Sequence, residues 1–264
     1  LELRDHGLAW CRDQGVEAWS EPSDQAPSTP GVIEATDAIV VLGGAGTFLR
    51  SAQVGADVGV PLVGVNLGQG GFLSKVETHS LEDLLAQLQA GDYVLEPRLM
   101  LEVRVRDAAD AEVGQPHLAL NEAAVVRGGR AQVMRLQVDV GDSRIATYIC
   151  DGVVVASPTG STGYSFSAGG PIIEPTARSL VVTPIAAYLT PLRSSVVGPQ
   201  HVVSATVKAA HDCLVSIDGR VDVSLQVDDR VEVRAREKPI TFIQPRGALP
   251  FWDLLRQKAT LLAD

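Results

Sequence analysis

The chain is short of cysteine, of long apolar runs and of basic charge, and each shortage closes off a class of protein. Cys11, Cys150 and Cys213 are too few and too scattered for a disulfide framework or a zinc site, which favours a reducing cytoplasmic setting with each thiol a small buried hydrophobe. No apolar stretch approaches about 20 residues, and Leu1 to Gly15 carries charges on a helical pattern, so the reading includes neither a membrane span nor an export signal. With 22 Lys and Arg against 32 Asp and Glu, the net charge of -10 excludes an extended nucleic-acid or anionic-membrane surface. Small anions can still be held by local donors. His6, His79, His117, His201 and His211 show no i, i+4 pairing, which argues against a fixed histidine metal site. Neither a Gly-x-x-x-x-Gly-Lys motif nor a protein-kinase catalytic set is present.

What the chain does have is a full complement of core formers, with 45% hydrophobic and 20% charged residues in 264, enough for one large or two modest soluble domains. It also has two turns rich in glycine and hydroxyls, each placed after an apolar strand-like run. In the first, Ile39 to Leu42 leads into Gly43-Gly44-Ala45-Gly46-Thr47, where glycines let backbone N–H groups approach an anion before a helix begins. In the second, Val153 to Ala156 leads into Ser157-Pro158-Thr159-Gly160-Ser161-Thr162-Gly163-Tyr164, with the hydroxyls of Ser157, Thr159, Ser161 and Thr162 crowding the turn. Two phosphate-sized openings imply two anionic groups held together.

Periodicity divides the chain. Helical and strand patterns alternate up to about Tyr93: helix from Leu1 to Gln14, strand from Ala38 to Leu42, helix from Thr47 to Val54, strand from Pro61 to Val65, helix from Ser80 to Gly91. That succession predicts a parallel sheet flanked by helices, with Ser80 as a capping residue and Gly91 closing the last helix. Glu21 to Pro30, with its prolines, reads as a loop or flap. From about Arg98 the period becomes two: Leu99 to Arg106, Met134 to Val140, Val221 to Val227 and Val231 to Arg236 alternate apolar and polar residues, predicting a sandwich-like β structure to about residue 245. Phe251 to Leu262 returns to a helical pattern. The expected fold is therefore an α/β N-terminal domain with a parallel sheet over residues 1–95, plus a β-rich C-terminal domain over 96–249, with a terminal helix over 250–264 docking back on the first.

Val40 to Leu49 resembles the signature of NAD kinases, which have Gly-Gly-Asp-Gly-Thr where this chain has Gly43-Gly44-Ala45-Gly46-Thr47. Gly64 to Gly68 with Gly71-Phe72-Leu73, then Leu120-Asn121-Glu122, Asp151-Gly152 and Ser157 to Gly170 match in order and spacing, so the resemblance covers nearly the whole chain. It implies ATP- or polyphosphate-dependent phosphorylation of the adenosine ribose 2′-hydroxyl of NAD, Mg²⁺ or another divalent metal arriving with ATP, and a homodimer or homotetramer. By resemblance Gly43, Gly44, Gly46 and Thr47 receive phosphates and the reacting ribose. Asn121 and Glu122 grip the riboses of NAD, with a satisfied structural pair as the alternative. Asp151 meets the nicotinamide amide, with an Asp-Gly hairpin turn as a rival. Thr159, Thr162, Gly163, Tyr164 and Ser167 lie in the stretch that contacts adenine and ribose, Gly163 replacing the more usual Ala. Phe72 lines a pocket or is plain core. Asp218-Gly219-Arg220 resembles a late family segment near the substrate, or is a surface turn.

Ala45 departs from the family at the position of its proposed base. A methyl group cannot accept a proton, and losing a general base costs on the order of 10² to 10⁴ in rate, although positioning and charge stabilisation can sustain slow turnover. Two explanations compete, a substitution made to trap ligands and a naturally silent homologue; intact motifs elsewhere favour the first. The chain also starts at what resembles the helix after the family's first strand, and Ala186-Ala187-Tyr188 stands where the family commonly carries a Cys-Pro-His run. A dehydrogenase would require a longer Rossmann half and a catalytic His or Lys in the second domain. The remaining alternatives are a non-catalytic dinucleotide-binding protein and a kinase of another polyol or lipid. The kinase reading expects the two glycine turns, from separate domains, to close over one shared adenosine.

Overall fold

The computed structural model describes residues 2–24, 31–67, 72–73, 76–129, 133–188, 190–210 and 212–261. It divides into two compact units, Leu1–Pro97 with Ile240–Asp264, and Arg98–Pro239.

The first unit is built on a five-stranded sheet in the order Ile39–Leu42, Leu62–Asn66, Ile240–Pro245, Tyr93–Arg98, with Val76–Glu77 also paired to Leu62–Asn66. Leu62–Asn66 runs parallel to Ile39–Leu42, to Ile240–Pro245 and to Val76–Glu77, so the βα succession in the sequence does produce a parallel sheet. Ile240–Pro245 is the strand that the period-two pattern assigned to the β-rich half. Its burial pattern is that of a central strand, with Ile240, Phe242 and Ile243 all inside, and the parallel sheet supplies the cover it needs.

Helix Ala45–Val58 buries Phe48, Leu49, Ala52, Gly55 and Ala56 at helical spacing. The Phe48 ring meets Phe242 edge-on at 5.0 Å. Gly55 brings this helix down onto the sheet, since a Cβ there would stand 2.7 Å from Leu62 Cδ1. Helix Leu81–Ala90 ends at Gly91 with φ 69°, as a left-handed cap requires. Its start differs from expectation. The 3₁₀ turn Thr78–Ser80 runs straight into the helix, leaving Ser80 at φ −103°, ψ 17° rather than in the extended geometry a capping side chain needs, and its hydroxyl caps nothing. Helices Glu2–Asp13 and Phe251–Leu261 also belong to this unit. Residues 25–30 of the expected loop, Gly68 and Gly71 of the quoted motif, and His211 lie outside the described residues.

The second unit is a sandwich of two six-stranded sheets. One runs Ser195–Val197, Leu180–Ile185, Gly152–Ala156, Glu122–Arg127, Cys213–Ile217, Val221–Leu225; the other runs His117–Ala119, Leu101–Arg106, Arg230–Ala235, Val203–Ala209, Met134–Val140, Ser143–Cys150. A single apolar cluster takes Val103, Leu136 and Val233 from the second sheet and Val125, Val155 and Val215 from the first. Alternation therefore sends every second residue inward. Glu102 on the outer face meets Arg104 at 2.7 Å and Arg234 at 2.6 Å, pairs that contribute little individually. The strand expected to reach Val227 ends at Leu225, because Asp228 turns the chain at φ 70°.

Gly152–Ala156 is buried along its whole length: Val153 and Val155 face the shared core, while Val154 and Ala156 enter a second cluster with Ala124 and Val181. This strand delivers the Ser157–Gly163 turn, and its neighbour Glu122–Arg127 carries the Asn-Glu pair at its start.

Candidate functional site

In the first unit, strand Ile39–Leu42 delivers Gly43 and Gly44 to the start of helix Ala45–Val58. Gly43 is held by packing, since a Cβ would stand 2.7 Å from the Thr47 side chain, whereas Cβ atoms at Gly44 and Gly46 would meet nothing within 4 Å. Gly44, Ala45 and Gly46 are exposed and Thr47 is half-buried. The first intrahelical bond is Phe48 N–H to Gly44 O at 3.1 Å, so the amides of Ala45, Gly46 and Thr47 precede the helical ladder. Such an end attracts anions through aimed N–H groups and the helix dipole. Phe72, also in this unit, is half-buried with its ring 6.0 Å from that of Phe251.

The second unit assembles its site around Leu120, Asn121 and Glu122. Asp218 closes the hairpin between Cys213–Ile217 and Val221–Leu225 with φ 51°, and Gly219 follows at φ 63°. Gly219 and Arg220 are exposed but Asp218 is only 6% exposed, so this is a surface turn with a buried carboxylate. That carboxylate accepts the N–H groups of Leu120 at 2.8 Å, Asn121 at 2.8 Å and Glu122 at 3.0 Å, while the Asp218 N–H donates to Glu122 O at 3.0 Å. Burial pushes the Asp218 carboxyl above the ordinary carboxylate range, against the pull of the three amides and of Arg220. Sequence reasoning quoted Asp218 but missed this grip. The local signal, an Asp-Gly pair after an alternating strand, is that of any hairpin turn.

The Ser157–Gly163 turn locks onto the same segment. Ser157 N–H donates to Asn121 O at 2.8 Å, and the Ser157 hydroxyl donates to Leu120 O. Gly160 N–H returns to Ser157 Oγ at 3.1 Å. Ser161 Oγ donates to Pro158 O at 2.7 Å and accepts from Ile173 N–H at 2.9 Å, and Thr159 Oγ1 accepts from Arg98 at 3.3 Å. These hydroxyls were expected to crowd the turn, which itself was read as a phosphate-sized opening. Ser157, Thr159 and Ser161 are buried and spent on the protein's own backbone and on Arg98, because a turn this tight has few other partners for its carbonyls. Thr162 and Gly163 are half-buried, and Tyr164 and Ser167 are exposed, Tyr164 by 42%. A core role for Tyr164 is thereby excluded.

Within this segment Glu122 is left over. Its Oε2 is buried and has no hydrogen-bond partner among the described residues. Desolvation, helped by the charge of Asp218, pushes its carboxyl up to about 8. The free oxygen would lie 3.2 Å from a Cβ on Gly163, so a glycine at this position leaves space beside it. A buried carboxylate oxygen with no donor costs free energy that a ligand hydroxyl can offset.

Asp151 is not in a hairpin. It stands where the chain leaves strand Ser143–Cys150 in one sheet for Gly152–Ala156 in the other, and its carboxylate pairs with Arg127, Nε to Oδ1 at 3.0 Å. Sequence reasoning did not name Arg127; a cation ending an apolar strand was the available signal. Among the described residues no group of three or more His, Cys, Asp or Glu stands together as a metal site, and no helix is long and apolar enough to cross a membrane.

Residues 11–93 match the ATP-NAD kinase N-terminal domain and residues 120–245 match the ATP-NAD kinase C-terminal domain. An NAD kinase of Heliobacterium modesticaldum is 41% identical over 225 residues, 84% of this chain and 78% of that protein. The fold resembles that of an NAD kinase from Archaeoglobus fulgidus solved in complex with ATP, with TM-score 0.71 and 26% identity over 96% of this chain and 92% of that one. It also resembles yeast NADH kinase solved with NADH, with TM-score 0.75 and 23% identity over 86% of this chain and 67% of the other.

Proposed function

The chain belongs to the NAD kinase family, and from that premise we propose that it binds NAD and ATP as substrates for phosphoryl transfer to the adenosine ribose 2′-hydroxyl, with the chemical step slowed by Ala45. The reaction class is phosphotransfer to an alcohol. In it the ribose oxygen bonds to the γ-phosphorus, the bond from that phosphorus to the β–γ bridging oxygen breaks, ADP leaves, and the hydroxyl proton passes to an acceptor.

The observation that carries the reading is Glu122 Oε2, buried without a donor in a segment gripped by Asp218 and Ser157. A sugar hydroxyl supplies the missing donor. Asn121, Thr162, Gly163, Tyr164 and Ser167 offer further polar contacts and an exposed ring for the adenosine. Asp151, already charge-paired with Arg127, is assigned the nicotinamide amide, whose NH₂ is a donor. In the first unit the open Gly44, Ala45 and Gly46 at a helix start favour the phosphates of ATP, and the likeness to an NAD kinase solved with ATP supports ATP as donor over polyphosphate.

Positioning and charge stabilisation persist without Asp at position 45; proton removal does not. Mg²⁺ or another divalent ion would enter with the triphosphate, held chiefly by the phosphate oxygens. A homodimer or homotetramer in a cytoplasmic setting completes the proposal, the assembly to be read by sedimentation. Calorimetry with NAD, ATP and a lipid diol tests the substrate assignment: NAD must bind and the diol must not. Binding of the diol in place of NAD would refute it.

A further inference from the structure

We propose that Asp218 is a positioning residue of the dinucleotide site, acting on the bound nucleotide only through Leu120, Asn121 and Glu122, whose backbone amides its carboxylate collects. The inference rests on the NAD-binding reading and goes beyond it, because it assigns a task to a residue that touches no substrate.

Three amides on two oxygens, at 2.8, 2.8 and 3.0 Å, fix three consecutive peptide planes where the chain enters the central strand Glu122–Arg127. The Asp218 N–H to Glu122 O bond fixes the next plane, on the other side of the Glu122 Cα. The left-handed φ of 51° at Asp218, followed by 63° at Gly219, belongs to the hairpin turn that Arg220 N–H closes on Ile217 O at 3.0 Å, and it aims the carboxylate back at the segment. The turn does not require the carboxylate to be buried on three amides, at a desolvation cost, since an exposed Asn-Gly pair would close the same two strands. The expense becomes intelligible from what the three residues carry. Asn121 O receives Ser157 N–H, and Glu122 holds the buried oxygen that has no donor among the described residues. Displacement of this segment by a fraction of an ångström would therefore move the glycine-rich turn and the free carboxylate oxygen together.

The contact is also electrostatic. Among the described residues, Asp218 is the charged group that faces Glu122, and Arg220 is the one that faces Asp218. Ionised Glu122 accepts a sugar hydroxyl better than the protonated acid does, so NAD affinity rises with pH as Glu122 ionises. Burial first, and then the negative charge of Asp218, hold that rise at higher pH.

Calorimetric NAD titrations from pH 5 to 9 on the full chain test this, with circular dichroism reporting the fold and ATP binding as a control. Asp218→Asn keeps the shape but puts an NH₂ where an acceptor stood. It is expected to weaken NAD binding on the order of tenfold to a hundredfold, leave ATP binding unchanged, and move the pH-dependent rise to lower pH. Because Asp218 acts through Glu122, the double variant with Glu122→Gln must lose less than the product of the two single losses. Full NAD affinity with an unmoved pH profile in folded Asp218→Asn, or strictly multiplicative losses, overturns the inference alone. Absence of NAD binding by the unsubstituted chain overturns the functional reading as well. Should Asp218→Asn not fold, amide NMR of the unsubstituted chain decides: the shifts of residues 120–122 must move together on acidification while NAD affinity falls, and shifts that move while affinity holds refute it.

Discussion

Gly160 lies against the backbone of Asn121 with no room for even a methyl group between them. A strand-delivered turn and the Asn-Glu segment are thus in direct van der Waals contact, backbone to backbone, and the hydroxyl of Ser157 bonds across the same seam.

Gly160→Ala must push that seam apart. Overpacking of this kind costs about 1–3 kcal/mol, and because the displaced partner is the Asn121 backbone, NAD binding should weaken along with thermal stability. Calorimetry and a thermal melt on the same sample check both. A variant that loses stability yet binds NAD at full strength would separate the turn from the binding surface.

At the other glycine turn the two effects come apart. Gly44→Ala adds a methyl group to open space and should leave unfolding within about 0.5 kcal/mol of the parent, while weakening ATP binding on the order of tenfold or more by obstructing the helix start. Gly43→Ala drives a Cβ into the Thr47 side chain and should lower the melting temperature. If Gly44→Ala binds ATP as the parent does, the phosphates lie elsewhere.

Ala45→Asp should restore NADP formation from NAD, ATP and Mg²⁺ by about 10² to 10⁴-fold, the usual worth of a positioned general base. The assay is enzymatic detection of NADP. No gain would favour a silent dinucleotide-binding homologue.

Glu122 leaves a signature in stability. Its carboxyl, ordinarily at 4.5, is pushed up to about 8 in the fold, so the native chain holds a proton that the unfolded chain releases between those values. Stability therefore falls as pH rises from about 4.5 to about 8, and ionisation of Glu122 drives that fall. Glu122→Gln should flatten the dependence in denaturant unfolding from pH 4 to 9. An unchanged slope would mean that this carboxyl ionises in the fold as it does in water.

The βα succession up to about Tyr93, several strands of the β-rich half and the change of period near residue 98 were legible in the chain, because helix and strand burial repeat at intervals a sequence displays directly. The glycine turns were legible as turns. Their chemistry was only half legible: four hydroxyls in six residues look alike on paper, and only packing showed that Ser157, Thr159 and Ser161 are spent inside the protein. Ser80 occupied the right place for a cap, yet the 3₁₀ turn before it withheld the geometry.

By itself, then, the sequence determined two units of different period, a helix opening on glycines, and the Asn121-Glu122 pair, all consequences of local backbone preference and burial pattern. Only the tertiary structure decided that Ile240–Pro245 joins the parallel sheet, that Asp151 bridges two sheets beside Arg127, and that Asp218 grips residues 120–122 while Glu122 keeps one oxygen free. Those outcomes depend on pairings between residues far apart in the chain, where the partner that satisfies a buried charge or an unpaired strand cannot be read from its neighbours.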